Sequence, residues 1–99
     1  MNIERTANGP EIILTVEGRV DANTSKELQD AIITAFQGSN KLVVDFEKVE
    51  YVASAGLRAL LLGHKTAMSK AGYMKLLHVA EAVMEVLHMT GFDSILTIE

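Results

Sequence analysis

Cysteine is absent from this chain of 99 residues, so neither a disulfide nor a thiolate metal ligand is possible. The opening stretch MNIERTANGPEI has no apolar core behind a basic start, which argues against a secretory signal peptide. Long apolar runs are missing too, because the longest one, Ala59 to Leu62, is far shorter than a membrane span. These absences predict a cytoplasmic protein that does not contact a membrane.

Clusters of basic residues are also missing. Nine lysines and arginines stand against thirteen aspartates and glutamates, which gives a net charge of −4. Because affinity for nucleic acid comes largely from Lys and Arg contacts to phosphates, this balance argues against direct nucleic-acid binding. The hydrophobic fraction of 48% is that of an ordinary globular protein, and the length predicts one domain over residues 1–99.

Proline occurs only once, at Pro10, in the turn-forming stretch ANGPE. Strand-forming residues lie on both sides of it, in Asn2–Thr6 and in the β-branched run Glu11–Gly18. Asn8 and Gly9 would close these two strands into a hairpin. We therefore predict that the chain begins with a β-hairpin.

A first helix is predicted in the segment DANTSKELQDAIITAFQG. Thr24 and Glu27 have the spacing of a capping box, and Gly38 is placed to end the helix in a left-handed conformation. Apolar residues recur at helical spacing and define one stripe, made of Leu28, Ala31, Ile32, Ala35 and Phe36. This helix is therefore predicted to be buried along one side.

The rest of the chain repeats the alternation of strand and helix. A short apolar strand, Lys41–Phe46, and the extended linker EKVEYV lead to a helix that begins near Ser54 and stops at Gly72. A strand at Tyr73–Val79, a helix ending at Gly91 and a short strand in DSILTIE follow. The helix that begins near Ser54 is predicted to bury one face, made of Leu57, Leu60, Leu61, His64, Met68 and Ala71. The helix that ends at Gly91 is predicted to bury Val83, Val86, Leu87 and Thr90.

The predicted order is β-β-α-β-α-β-α with a short final strand. A helix after each strand from the second onward is typical of crossover connections in a parallel sheet. The N-terminal hairpin makes the sheet mixed. We therefore predict an α/β protein with a mixed β-sheet of four to five strands.

No group of residues in this sequence has the spacing of a catalytic or metal site. His64, His78 and His88 include no pair at i,i+3 or i,i+4, so we predict no metal site. The stretch around Ser54 lacks the Gly-x-Ser-x-Gly nucleophile elbow, because residue 52 is Val. It also lacks the several glycines and the Gly-Lys-Ser/Thr of a phosphate-binding loop. A small enzyme or a nucleotide-binding protein is therefore the least favoured class, and no cofactor is predicted.

Ser54 is the single hydroxyl at the predicted corner between a strand and the second helix. One interpretation is an N-cap, whose side chain bonds a free backbone N–H and contributes about 0.5–2 kcal/mol. The same helix end would also tolerate a phosphate, to which Arg58, one turn on, could reach back. Asp21 and Asp45 are predicted to gather with Ser54 at one edge of the sheet, where they would repel that phosphate.

Four stretches of the chain resemble the STAS domain, and most closely the stand-alone bacterial anti-sigma factor antagonists. They are VEGRVDANTSKEL, LVVDFEKVEYVASAGLRALL, KLLHV and VMEVLHMTGFDSILTI, in the order of that family and over nearly the whole chain. The second is the most specific, because its strand ends in Asp and Ser-x-Gly-Leu then opens a helix. The resemblance implies a mixed sheet with helices packed mainly on one side.

The resemblance also implies partner switching in transcription regulation. In this family the unmodified antagonist binds an anti-sigma factor that is a serine kinase, which frees the sigma factor. The kinase phosphorylates the serine that opens the second helix, here Ser54, and a serine phosphatase removes the phosphate. Asp21 matches an acidic residue near that serine. The implied partner-binding residues are Asp21, Ala53, Ala55, Gly56, Leu57, Arg58 and Leu61; no residue is implied to be catalytic.

Two positions depart from the family pattern Asp-Ser-Ser/Thr-Gly. Ala53 replaces the Asp before the acceptor, and Ala55 replaces the second hydroxyl, which leaves Ser54 as the only acceptor at this corner. The alternative function is therefore a STAS interaction or scaffold protein that is not phosphorylated. The sequence leaves the oligomeric state open between a monomer and a weak dimer.

Overall fold

The computed structural model describes residues 1–99 and contains five strands, three α-helices and one short 3₁₀ helix. In chain order they are β1 (Asn2–Asn8), β2 (Glu11–Val20), α1 (Ser25–Gly38), β3 (Lys41–Val52), α2 (Ser54–Ser69), β4 (Tyr73–Leu77), α3 (Glu81–Met89), the 3₁₀ helix Phe92–Ser94 and β5 (Thr97–Ile98). This order confirms the predicted alternation of strands and helices. None of the helices combines the length and the apolar character that crossing a membrane requires.

The five strands form one sheet in the order β1-β2-β3-β4-β5. β1 and β2 are antiparallel and remain paired up to Asn8 with Glu11, so only Gly9 and Pro10 lie in the turn. All other neighbouring strands are parallel. The mixed sheet is thus confirmed. Because the strand order is sequential, every right-handed crossover moves in the same direction and places its helix on the same side of the sheet.

One hydrophobic cluster of 22 buried residues forms the core, and no polar or charged side chain is buried. The residues that α1 contributes are Leu28, Ile32, Ala35 and Phe36. The predicted stripe of α1 is therefore confirmed, except that Ala31 is only half-buried. In α3, Val83 and Leu87 are buried as predicted, whereas Val86 is half-buried and Thr90 is exposed.

The buried face of α2 differs from the predicted one. Its buried residues are Gly56, Leu57, Ala59, Leu60, Gly63 and Ala67. The small residues bring the helix close to the sheet, since a Cβ on Gly63 would lie 2.6 Å from the Met74 sulfur. Leu61 and His64 are consequently only half-buried, and Met68 is 58% exposed. The helix is rotated relative to the prediction because its small residues, not only its leucines, face the sheet.

The ends of the helices also depart in part from the predictions. Gly38 and Gly72 do not have positive φ, and the left-handed residue after α2 is the exposed Ala71, with φ 54°. Gly72 is required for a different reason, because a Cβ there would lie 1.7 Å from the Asn40 carbonyl oxygen. Gly91 follows α3 as predicted and has a left-handed conformation, with φ 80°.

Candidate functional site

β3 continues well beyond the predicted end at Phe46, because the stretch EKVEYV extends the strand to Val52. β2 runs beside this extension as far as Val20, which pairs with Val52. The register shifts twice along this pairing, between Thr15 and Glu17 and between Gly18 and Arg19. At each shift β3 has one more residue than β2, which strengthens the local twist. α1 and α2 both begin where this ribbon ends. We call residues 19–25 and 51–58 the tip.

Ser54 is the first residue of α2 and is exposed at the tip. The N-cap is Ala53, whose extended backbone donates its N–H to the Val20 carbonyl oxygen at 2.8 Å. No side chain caps the helix, so the prediction that Ser54 is an N-cap is wrong. The Leu57 N–H is the first to bond within the helix turn, to the Ala53 carbonyl. The N–H groups of residues 54–56 therefore have no partner within the helix.

Gly56 holds the first turn of α2 against the ends of both strands. A Cβ at this position would lie 2.5 Å from Val20 Cγ1, closer than atoms can pack, and 3.0 Å from Val52 Cγ1, which is a tight contact. Leu57 follows it into the core and is 5% exposed. The prediction that Gly56 and Leu57 contact a partner therefore needs correction, because both support the tip from beneath its surface.

The surface of this first part of α2 is formed by Ser54 and Arg58, one helical turn apart. Ala53, Ala55 and Leu61 are half-buried around them. Arg58 forms no ion pair. Because α2 contains no acidic residue, the solvent-facing side of the helix carries only positive charge.

Asp21 lies in the other half of the tip and is held by its own loop. Its Oδ1 accepts hydrogen bonds from the N–H groups of Asn23 at 2.9 Å and Thr24 at 3.2 Å. Its Oδ2 lies 3.9 Å from Arg19 Nε. These contacts, above all the hydrogen bond from the Asn23 N–H, lower the pKa of Asp21 below its ordinary value. The tip therefore contains a fixed negative charge at neutral pH.

Thr24 does not form the predicted capping box with Glu27. Its hydroxyl instead donates to the Arg19 carbonyl oxygen at 2.7 Å and accepts the Asp21 N–H at 2.9 Å. The Ser25 N–H bonds the Asp21 carbonyl oxygen at 2.8 Å. The chain between β2 and α1 is thus a closed, internally hydrogen-bonded loop.

Sequence reasoning missed a cation–π pair at the tip. Arg19 and Tyr51 face each other across β2 and β3, and the guanidinium carbon lies 4.4 Å from the centre of the ring. Tyr51 is 40% exposed, so the pair presents an aromatic and positively charged surface next to Asp21. Treating EKVEYV as a strand would have placed Tyr51 near the end of β2.

Asp45 is not part of the tip, contrary to the prediction. It precedes Val52 by seven residues of β3, roughly 20 Å of extended chain. Its Oδ1 lies 3.1 Å from His78 Nδ1, and this contact raises the pKa of His78. Of the three residues predicted to gather at one edge, only Asp21 and Ser54 follow the paired ends of neighbouring strands.

Three comparisons place this geometry among known proteins. The family model described as "Mlab, STAS domain" matches residues 3–97. BtrV of Bordetella bronchiseptica, a candidate anti-sigma factor antagonist, is 29% identical over 85 residues, which cover 85% of this chain and 73% of BtrV. A candidate anti-sigma factor antagonist from Thermotoga maritima has a crystal structure with TM-score 0.89 and 21% identity, covering 97% of this chain and 84% of that one.

A further solved structure is similar at lower identity. The Bacillus cell fate determinant SpoIIAA in its phosphorylated form has TM-score 0.75 and 18% identity, with 99% of this chain and 91% of that one covered. These likenesses confirm the predicted α/β fold with a mixed sheet.

Proposed function

This chain belongs to the STAS domain family, and we propose that it is an anti-sigma factor antagonist controlled by phosphorylation of Ser54. In this proposal the unmodified chain binds an anti-sigma factor that is also a serine kinase, and the sigma factor is freed. The kinase then transfers a phosphoryl group from ATP to Ser54 Oγ and releases ADP, and a serine phosphatase reverses the modification. The observation that carries the proposal is the open start of α2, where the exposed Ser54 is not used as a cap.

The surroundings of Ser54 suit a phosphoryl acceptor. Its side chain is exposed and is not occupied in capping, so a kinase can reach it without unfolding the tip. Ala53 and Ala55 leave no second hydroxyl beside it. A phosphate at this position would meet the free N–H groups of residues 54–56 and the positive end of the helix dipole. The modified helix can therefore keep its fold.

A phosphate would change the charge of the tip more than its shape. It adds about −1.5 to −2 charges next to the part of the tip that holds the ionised Asp21. Arg58 lies one turn away without an ion-pair partner, so it can pair with the phosphate and no longer with a partner protein. A partner surface that complements the unmodified tip would then lose a contact and meet repulsion.

The proposed contact surface follows from exposure. It consists of Ser54 with Asp21, Ala53, Ala55, Arg58 and Leu61, while Gly56 and Leu57 position it from beneath. The name of BtrV supports the general function, and the structure of phosphorylated SpoIIAA supports the compatibility of this fold with phosphorylation.

Calorimetric titration against the anti-sigma factor kinase encoded in the same genome tests this function. We expect Ser54→Asp to weaken binding at least about tenfold, or about 1.4 kcal/mol, and Ser54→Ala to bind like the unmodified chain. Ser69→Asp is the matched control, because it adds the same charge at the exposed last residue of α2 and should leave binding unchanged.

The alternative function is a STAS interaction or scaffold protein whose tip binds its partner constitutively. Ala53, in place of the family's Asp, is the feature that favours it. Equal binding by the unmodified chain and Ser54→Asp, with no phosphate on Ser54 after incubation with kinase and ATP, would establish this alternative and overturn the switch.

A further inference from the structure

Away from the tip, three side chains with metal-ligating groups converge beside β3. They are Asp45 and Glu47 of β3 and His78, which follows β4. One ligand atom of each lies within 4.8 Å of the others. A search for helical spacing between histidines misses this group, because it has one histidine, next to the end of β4, and two carboxylates from β3.

The pairing of β3 with β4 brings two of the ligands together. Asp45 is paired with Leu77, the last residue of β4, so His78 emerges directly beside the Asp45 carboxylate. His78 has a left-handed backbone, with φ 56°, which is uncommon for a residue with a side chain. The structure therefore holds the imidazole and the carboxylate at a fixed end of the sheet.

The alternation of side chains along β3 supplies the third ligand. Asp45 and Glu47 are two residues apart, with the buried Phe46 between them, so both lie on the same side of the strand. The register between β2 and β3 shifts after Asp45, and the extra residue leaves Lys48 exposed as well.

The separation of two of the donor atoms is close to the one that a shared ion requires. Asp45 Oδ1 and His78 Nδ1 are 3.1 Å apart, and two ligands bound at 2.0–2.2 Å to a tetrahedral ion are separated by about 3.3–3.5 Å. Oδ1 of Asp45 also accepts the Glu47 N–H at 3.0 Å, the kind of supporting hydrogen bond that orients a ligating carboxylate. The exposed Glu47 side chain can close the remaining gap by a rotamer change.

We propose that Asp45, Glu47 and His78 bind a divalent transition-metal ion, with Zn²⁺ as the ion that one imidazole and two carboxylates fit. The two carboxylates balance the charge of the ion, and water completes its coordination. Lys48, the residue after Glu47, is directed to Glu17, with its Nζ 3.8 Å from Glu17 Oε2. The alternative is an ion pair between Asp45 and His78 to which Glu47 adds only its negative charge.

Titration of ZnCl₂ into the untagged full chain by calorimetry tests the site. We expect one saturable site per chain, with at least about tenfold weaker binding in His78→Gln and in Asp45→Asn. His88→Gln is the matched control and should bind like the unmodified chain. His88 Nδ1 also has a carboxylate partner, Asp93 at 2.8 Å, but no third ligand within the same reach.

A second pair of variants tests the third ligand. Glu47→Gln should weaken Zn²⁺ binding, whereas Glu50→Gln, which removes another exposed carboxylate of β3, should not. Circular dichroism of each variant confirms that it is folded. Absence of saturable binding by the unmodified chain, undiminished binding by folded His78→Gln, or equal weakening by His88→Gln would overturn the proposal and leave an ion pair only.

Discussion

α1 and α2 begin at the same tip, but the segments that lead into them are built in opposite ways. Before α1, the Asp21 carboxylate and the Thr24 hydroxyl bond backbone groups of the same loop. Before α2, Ala53 has an extended N-cap backbone and no side chain caps the helix. The loop before α1 is closed by polar side chains, although no side chain caps α1 either. The start of α2 has no such loop and leaves its N–H groups and the Ser54 hydroxyl at the surface.

This difference separates the groups that stabilise the tip from Ser54, the residue that we propose is modified. The closed loop before α1 uses its polar groups internally and fixes Asp21 in place. The open start of α2 is held by apolar packing instead, through Gly56 and Leu57. A serine that is not needed for the fold is free to be modified, and the four predictions below test that separation.

The largest effect on stability is expected from Gly56→Ala. The added Cβ would overlap the side chains of Val20 and Val52, so the variant should lose about 1–3 kcal/mol of unfolding free energy. Urea denaturation measures the change. Gly38→Ala is the control, because its Cβ would meet the far end of the flexible Arg5 side chain at 3.0 Å and would be in ordinary contact with Ile12 Cδ1 at 3.6 Å. An equal loss in both variants would show that packing under Ser54 is not specific.

Ala53→Ser should stabilise the protein. The backbone at Ala53 already has the extended conformation of an N-cap, so a hydroxyl there can bond a free N–H and add about 0.5–2 kcal/mol. Ala55→Ser places the same hydroxyl inside the helix and should give no such gain. Thermal unfolding of both variants distinguishes them. A gain confined to Ala55→Ser would mean that the open start is wrongly described.

Thr24→Val should destabilise the closed start by about 1 kcal/mol, because it removes the hydrogen bonds to the Arg19 carbonyl and the Asp21 N–H. Thr34→Val makes the same exchange at an exposed position of α1 and should change stability less. Denaturant titration compares the two. If both variants lost the same stability, the loop before α1 would not depend on Thr24.

Ser54→Ala should have the smallest effect, below about 0.5 kcal/mol in unfolding free energy, since no side chain caps α2. The same urea denaturation measures it. A loss of about 1 kcal/mol or more would match a true N-cap and would contradict the separation of stability from function at this serine.

Local sequence signals predicted much of this fold. Asn8 to Pro10 marked the hairpin, the apolar stripe of α1 marked its buried side, and the Ser-Ala-Gly-Leu stretch marked the start of α2. These features depend on residues close together in sequence, where turn chemistry and helical period act directly.

Features that depend on strand pairing were not predictable in the same way. The bulges in β3 break its alternation, so the sequence does not identify EKVEYV as a strand and predicts Asp45 near the end of β3, whereas it lies in the interior of the strand. The Thr24 hydroxyl bonds the Arg19 carbonyl of β2 instead of capping α1. The capping-box spacing in the sequence does not reveal that competing hydrogen bond. Asp45 and His78 meet only through the register of β3 with β4.

The most direct test of the central claim is to incubate the chain with ATP and the proposed partner, the anti-sigma factor kinase encoded in the same genome. Mass spectrometry then locates the phosphate, and calorimetry compares the affinity of modified and unmodified chains for that kinase. We expect phosphate on Ser54 alone and binding weakened at least about tenfold. Phosphate on another residue, or unchanged affinity after complete modification of Ser54, would contradict the account.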